Sequence, residues 1–232
     1  MKRLPAEYKP IDEISDLWNV LSPTQINYLR EHCTVRHLKK NELIHKEGDK
    51  PAYLFCLVEG KIKFTKKGPG GRVQIVRMIK PVSYMGYRAI FAENSYTTAG
   101  MAVEPSVVYI IDADAFRQLV FNCAKLSRYF LEQLSLDLGG ADSRVISLTQ
   151  KHVRGRIAEA ICFLIDNYGY ELDGVTLAIY LSREDLASLS NMTVSNAIRT
   201  LALLVNQKLI TTDGRVIKIM NEEGLRHISK FG

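Results

Sequence analysis

The chain has 232 residues, 47% of them hydrophobic and 24% charged, with a net charge of +6 and a pI near 9.1. That length suits two modest domains or one large one. No apolar run nears the roughly 18 residues of a membrane span, and the N-terminus lacks the basic-then-apolar pattern of a signal peptide, so a cytoplasmic location is expected. The four cysteines (Cys33, Cys56, Cys123, Cys162) share no CxxC spacing and all five histidines are isolated. That pattern speaks for buried thiols in a reducing compartment, against a disulfide frame or a metal site.

Residues Asp12–His32 are predicted to be helical, with Ile14, Leu17, Trp18, Leu21, Ile26 and Leu29 as the apolar positions. From Thr34 to about Ile111 the chain reads as short strands between turns. The clearest are Tyr53–Val58, Lys61–Lys66 after Glu59–Gly60, Gln74–Ile79 after Gly68–Gly71, and Val107–Ile111. Gly, Pro, Asp and Asn between strands of this length indicate an all-β sandwich or barrel. Gly68–Pro69–Gly70–Gly71 does not match a phosphate-binding loop and is more simply a hairpin turn. No local nucleophile, acid–base pair or metal cluster appears, so no enzyme is expected. Thr34–Lys80 carries 12 Lys/Arg against 4 Asp/Glu, whereas the chain from Asp142 onwards carries 11 against 10. The basicity therefore belongs to the β region, where it suits an attractive field for a polyanion, an anionic effector or a solvated β surface.

A helical tract follows over Asp114–Thr149. Within it Ser127, Phe130, Leu134, Leu138, Ala141 and Val145 step by three and four, a heptad-like seam that suggests two copies side by side. Burial against the chain's own β-domain produces a similar stripe in a shorter helix, but the length of the tract favours a dimer. Gly139–Gly140 interrupts it at a cost in helix propensity, as a point of close approach or of flexibility. A further helix is predicted over Val153–Asn167, then a linker over Tyr168–Gly174.

Leu181–Ile210 reads as two short helices joined by a tight turn. Ser182, with Asp185 three residues on, starts the first, and Thr193 caps a second running from Val194 to about Gln207. Ala197, Ile198, Leu201, Leu204 and Val205 are its buried stripe, leaving Ser195, Asn196, Arg199 and Thr200 exposed. A helical pair packed in a core is the plainer alternative, but the hairpin Leu209–Thr212, Asp213–Gly214, Arg215–Ile219 directly after it favours a winged helix-turn-helix. The candidate DNA contacts are Thr193, Val194, Ser195, Asn196, Arg199 and Thr200 on the second helix, Arg183 on the first, and Arg215 and Lys218 on the wing, with Lys208 near by. Asn pairs bidentately with adenine, the Val194 methyls suit a thymine, and wing cations suit phosphates.

The whole chain resembles the Crp/Fnr family of bacterial transcription regulators. The marks are the turn at Glu59–Gly60, the long central helix, the sequence Gly155–Arg156–Ile157–Ala158, and the motif opening Leu181–Ser182–Arg183–Glu184–Asp185–Leu186–Ala187. The resemblance implies an α+β chain in three parts: a jelly-roll-like β-roll sensor domain with an N-terminal helix (1–113), a long dimerisation helix (114–149), and a winged helix-turn-helix (150–232). It also implies a homodimer on a palindromic double-stranded operator, no membrane partner, and contact with RNA polymerase where a member activates.

Cyclic-nucleotide-binding members carry a Gly-Glu pair that holds the ribose and an Arg-Ser pair that grips the phosphate. Here Gly86 is followed by Tyr87–Arg88, and Tyr96–Thr97–Thr98 stands where the Arg-Ser pair would fall. These six residues form the candidate effector pocket. Without a charged partner for a buried phosphate, cyclic AMP is not the expected effector. No cysteine cluster precedes Cys33, as the oxygen-sensing branch would have. Haem stays open as an effector group, with His32, His37 and His45 as conceivable ligands, each more simply structural. The expected function is an effector- or stress-responsive regulator. The alternatives are a ligand-independent dimeric DNA-binding module, or a protein-interaction adaptor that kept the fold.

Overall fold

The computed structural model describes residues 9–232; the first eight positions of the expected 1–113 domain lie outside the described residues. Contacts divide the chain into two units, one running to Lys67 and resuming over Val76–Gly139, the other made of Gly68–Ile75 and Gly140–Gly232. No helix among the described residues is long and apolar enough to cross a membrane.

Among the described residues the N-terminal β-domain has eight strands: β1 (Cys33–Leu38), β2 (Leu43–His45), β3 (Tyr53–Glu59), β4 (Ile62–Lys67), β5 (Val73–Ile79), β6 (Ser83–Met85), β7 (Ala99–Ala102) and β8 (Ser106–Asp112). They form two four-stranded sheets, ordered β1-β8-β3-β6 and β2-β7-β4-β5. The chain passes from one sheet to the other several times, which makes the fold jelly-roll-like. β3 shows what drives this. Leu54 and Cys56 point to one face and join Trp18, Leu29, Phe116 and Phe130 in a core with the helices. Phe55 and Leu57 point to the other and meet Ile44, Ile62, Phe64 and Val108 between the sheets. Side chains alternate across a strand, so a strand covered on both sides must be apolar at successive positions. β8 pairs with it antiparallel, Cys56 opposite Tyr109, and the Tyr109 hydroxyl donates to the carbonyl of Lys9 at 2.6 Å. Gly60, at φ +86°, turns the chain from β3 to β4 where an added Cβ would lie 2.6 Å from the Pro105 carbonyl oxygen.

The helix predicted over Asp12–His32 is instead three pieces: α1 (Ile11–Ile14), a 3-10 turn (Asp16–Val20) and α2 (Pro23–Glu31). The Ser22 hydroxyl accepts from the Gln25 amide at 3.3 Å while the Gln25 side chain accepts from the Ser22 amide at 2.9 Å. That reciprocal cap, with Pro23 at the first position, starts a fresh helix and ends the earlier one. The short helix α3 (Tyr87–Phe91) went unforeseen.

The tract over Asp114–Thr149 is also divided, into α4 (Ala113–Phe121) and α5 (Ala124–Gln150). The Ser127 hydroxyl reaches back across the break to the Val120 carbonyl at 2.5 Å. The stripe expected to face a second copy is thereby split. Phe130 is buried in its own domain, edge-on to Phe116 with centroids 4.9 Å apart and 5.3 Å from the Tyr87 ring. Leu134 is partly buried against the same core. Leu138, Ala141 and Val145 are exposed, and Leu131 extends the exposed row at seven-residue spacing with Leu138 and Val145.

The C-terminal unit contains α6 (Val153–Tyr168), α7 (Arg183–Leu189), α8 (Val194–Asn206), β9 (Ile210–Asp213), β10 (Val216–Ile219) and α9 (Glu222–Phe231). Its core collects Ile157, Ile161, Leu186, Leu201, Leu204, Leu225 and Ile228, all buried. Helix α9 is additional to the elements expected from the sequence. Its signals are local: the Asn221 side chain caps it by accepting from the Gly224 amide at 2.8 Å, and Leu225 and Ile228 give it one apolar side. Arg226 ties it to α6 through Asp166 at 2.6 Å.

Phe130 fills the space among five other rings, those of Tyr84, Tyr87, Phe91, Phe116 and Tyr129, and truncation would leave a cavity that they cannot close. Phe130→Ala is expected to lower stability by about 3–5 kcal/mol, read as a fall in the urea midpoint of the β-domain transition.

Candidate nucleic-acid interface and effector pocket

In the C-terminal unit, the Ser182 hydroxyl accepts from the Asp185 amide at 3.1 Å, starting α7, and the Thr193 hydroxyl accepts from the Asn196 amide at 3.2 Å, starting α8. Between them Asn191 adopts φ +50°, a left-handed conformation that asparagine tolerates, and Met192 is buried to anchor the turn. Thr193, Ser195 and Arg199 are exposed, and Val194 and Asn196 are half-buried. Two expected positions exchange places. Thr200 is only 6% exposed, and its hydroxyl donates to the Asn196 carbonyl at 2.7 Å. Three residues after Ala197 and four before Leu204, it lies within the buried stripe, where the backbone bond satisfies its polar atom. Ile198, expected inside, is 51% exposed at the edge of that stripe.

The hairpin turns one residue later than expected. Asp213 pairs with Val216, so Gly214 and Arg215 form the two-residue turn, with Gly214 at φ +52° in the first central position, as a type II′ turn requires. Arg215 is exposed at its tip. Lys218 is half-exposed and stands 3.9 Å from the Asp173 carboxylate. Hydrogen bonds from the Thr176 side chain and from the Thr176 and Val175 amides pull that carboxyl down to about 2. Lys208 holds φ +57° at the end of the helical motif. Arg183 is half-buried, with Nη1 enclosed and lacking a hydrogen-bond partner among the described residues.

In the β-domain, all six residues of the expected pocket, Gly86, Tyr87, Arg88, Tyr96, Thr97 and Thr98, line one cavity of about 310 Å³. Gly86 opens α3 at φ +97°, and an added Cβ there would lie 2.8 Å from the Tyr53 carbonyl oxygen. The Tyr96 hydroxyl donates to that same carbonyl at 3.0 Å. Four further lining residues, His45, Phe64, Arg77 and Leu134, come from distant parts of the chain. Tyr87 does not point a polar atom freely into the space. Its hydroxyl donates to an Asp137 carboxylate oxygen at 2.7 Å, and Arg77 reaches the same oxygen at 2.7 Å. Burial, and then the bond to Asp137, push the Tyr87 hydroxyl up to about 12. Arg77 is thus neutralised, whereas Arg88 is exposed and has no ion pair among the described residues. Among the described residues no carboxylate lines the cavity. This three-way contact was invisible in the sequence because its members are 50 and 60 residues apart.

Of the histidines considered for haem, only His45 lines the cavity, and its ring lies against Tyr96 with centroids 3.9 Å apart and 20° between planes. No group of three or more His, Cys, Asp or Glu among the described residues is placed to hold a metal ion. The four cysteines are free thiols, three of them buried.

Two family models match the chain, a cyclic nucleotide-binding domain over residues 35–123 and a Crp-like helix-turn-helix domain over residues 155–228. The chain belongs to the Crp/Fnr family. Members of this family are dimeric DNA-binding transcription regulators, not enzymes. A CRP-like cAMP-activated global transcriptional regulator of Mycobacterium tuberculosis is 22% identical over 219 residues, covering 93% of this chain and 98% of the relative. Among solved structures, FixK2 from Bradyrhizobium japonicum superposes with a TM-score of 0.76 at 21% identity, covering 84% of this chain and 96% of that one. A Crp/Fnr-family putative regulator from Eubacterium rectale gives 0.78 at 16% identity, covering 94% and 99%. These likenesses confirm the fold.

Burial lowers the His45 pKa from its ordinary 6.5. A group neutral in the folded chain but protonated more readily when unfolded gives stability that is full above pH 6.5 and declines as pH falls towards the folded value. Urea midpoints followed from pH 7.5 to 5 are expected to fall less in His45→Phe, which keeps the stacking on Tyr96, than in the wild-type protein.

Proposed function

We propose that this Crp/Fnr-family chain is an effector-responsive transcription regulator that binds a palindromic operator as a homodimer without depending on cyclic AMP. The observation that carries the reading is Tyr87. It occupies the position of the family's ribose-binding carboxylate, and its hydroxyl is committed to Asp137. Thr97 and Thr98 offer neutral hydroxyls at the positions where the family's guanidinium grips the phosphate, and a hydrogen bond from a neutral donor is weaker than a charge-assisted one. The M. tuberculosis relative is named as cAMP-activated; this chain keeps the cavity and exchanges the groups that grip the nucleotide.

Residues 1–113 serve as the sensor, 114–149 as the dimerisation helix, and 150–232 as the DNA-binding domain. Support for the dimer lies in Leu131, Leu138 and Val145, each more than half exposed at seven-residue spacing on α5. That repeat is what a left-handed helix pair buries. An added Cβ at Gly139 or Gly140 would meet no heavy atom within 4 Å, which leaves room for a second helix beside them. Thr193, the cap of α8, bonds a phosphate while Ser195, Asn196 and Arg199 of the helix read base edges, and Arg215 and Lys218 of the wing hold the backbone.

Titration calorimetry of the full-length protein with cyclic AMP is expected to show no binding tighter than about 1 mM; micromolar binding would overturn the cyclic-AMP-independent reading. Paired Leu131→Glu and Leu138→Glu substitutions are expected to yield a folded monomer in sedimentation velocity. The same variant should lose binding to two-half-site duplexes recovered from random DNA by the wild-type protein.

A further inference from the structure

Residues four apart on a helix lie along one row of its surface. On α8, Ser195, Arg199 and Leu203 form one such row, and Val194, Ile198 and Ala202 form the next. The first carries a hydroxyl and a guanidinium. The second carries only methyl-bearing side chains, with Ile198 at its centre and 51% exposed. Between Val194 and Asn206 the helix has no carboxylate, and Arg199 is its only charge. A helix face that stayed in water would be served better by Lys, Glu or Gln, which are stronger helix formers than the β-branched isoleucine and cost nothing to hydrate.

We infer that Ile198 is a specificity-determining residue that packs against the C5-methyl group of a thymine in the major groove, beside the hydrogen-bonding row of Ser195 and Arg199. The inference deepens the operator-binding reading and rests on it. Thymine is the one base whose major-groove edge presents a methyl group, so an apolar side chain can select it without any hydrogen bond. Ile198 stands one turn into the helix, next to Arg199 and past the Thr193 cap, where the first two turns of a recognition helix meet base edges. Ala202, one turn further along the row, is short enough to let the helix approach closely. Absence of acidic groups from this face leaves nothing to repel the phosphates on either side of the groove.

The test uses the full-length protein and duplexes that it recovers from random-sequence DNA. Each thymine of a recovered duplex is replaced in turn by deoxyuridine, which removes the methyl group and leaves the hydrogen-bonding edge unchanged. With the wild-type protein, one thymine in each half-site is expected to lose about three- to fivefold in affinity on replacement, the worth of one buried methyl group. Ile198→Ala should bind deoxyuridine and thymine equally at that position, and Ile198→Val should keep most of the preference. The inference is overturned if no thymine is sensitive in the wild-type protein, or if Ile198→Ala keeps the full preference. It is equally overturned if Ile198→Ala leaves the deoxyuridine profile intact yet abolishes transcription from the same operator, which would assign the residue to a protein partner. Failure of the wild-type protein to recover any duplex would remove the operator reading itself, and this inference with it.

Discussion

Covering β3 on both faces is the constraint from which the β-domain follows. Once Leu54 and Cys56 must meet helices and Phe55 and Leu57 must meet a second sheet, the strand cannot sit at an edge. β8 and β6 flank it in its own sheet, and the helical layer of Trp18, Leu29, Phe116 and Phe130 becomes as necessary as the opposite sheet. The dense packing of rings around Phe130 binds the start of α5 to the roll, so this helix belongs to the core over its first turns, whereas Leu138, Ala141 and Val145 further along it are exposed. A stripe that serves two purposes along one helix explains why its spacing holds while its burial does not.

The same core sets the chemistry of the cavity. Tyr87 contributes its ring to the cluster with Phe130 and its hydroxyl to Asp137, so one side chain joins the pocket wall to α5 by packing and by a charged hydrogen bond. Asp137 also holds Arg77, which leaves Arg88 as the cation of the lining without an ion pair among the described residues. A hydrogen bond to an ionised carboxylate is stronger than one between neutral groups. Any occupant that contacted Tyr87 or Arg77 would therefore act on the arrangement that fixes Asp137 on the helix. The coupling between pocket and helix in this chain would then pass through a carboxylate that the protein itself provides.

Much of the architecture was legible because it is written in local signals. Ser182 with Asp185, Thr193 at the second helix and the Asp-Gly hairpin each state their geometry within four residues, and the observed elements differ from expectation by a residue or so at their ends. The six pocket positions converge because Gly86 and Thr97 belong to turns that the family resemblance could match one by one. What escaped was either cooperative or distant. The reciprocal cap of Ser22 and Gln25 broke a helix whose apolar spacing was continuous, since local hydrogen bonds outweighed periodicity. Asp137 and Arg77 carry no mark in the sequence that they share a hydrogen-bonding site with Tyr87.

The exchange between Thr200 and Ile198 is a different kind of failure. Ranking by hydrophobicity puts isoleucine inside and threonine outside, and α8 does the reverse. Thr200 can be buried at little cost because its hydroxyl bonds to the helix backbone. Ile198 lies at the edge of the stripe defined by Ala197, Thr200, Leu201 and Leu204 and leaves half of its surface in water. A natural sequence that breaks a local rule without compensation inside the chain usually does so where something outside it makes contact. The net charge points the same way. The chain from Asp142 onwards is nearly neutral, so this helix has little general attraction for a polyanion to rely upon. Discrimination on its surface must then come from shape and from individual groups, and a half-exposed isoleucine between a valine and an alanine is such a group.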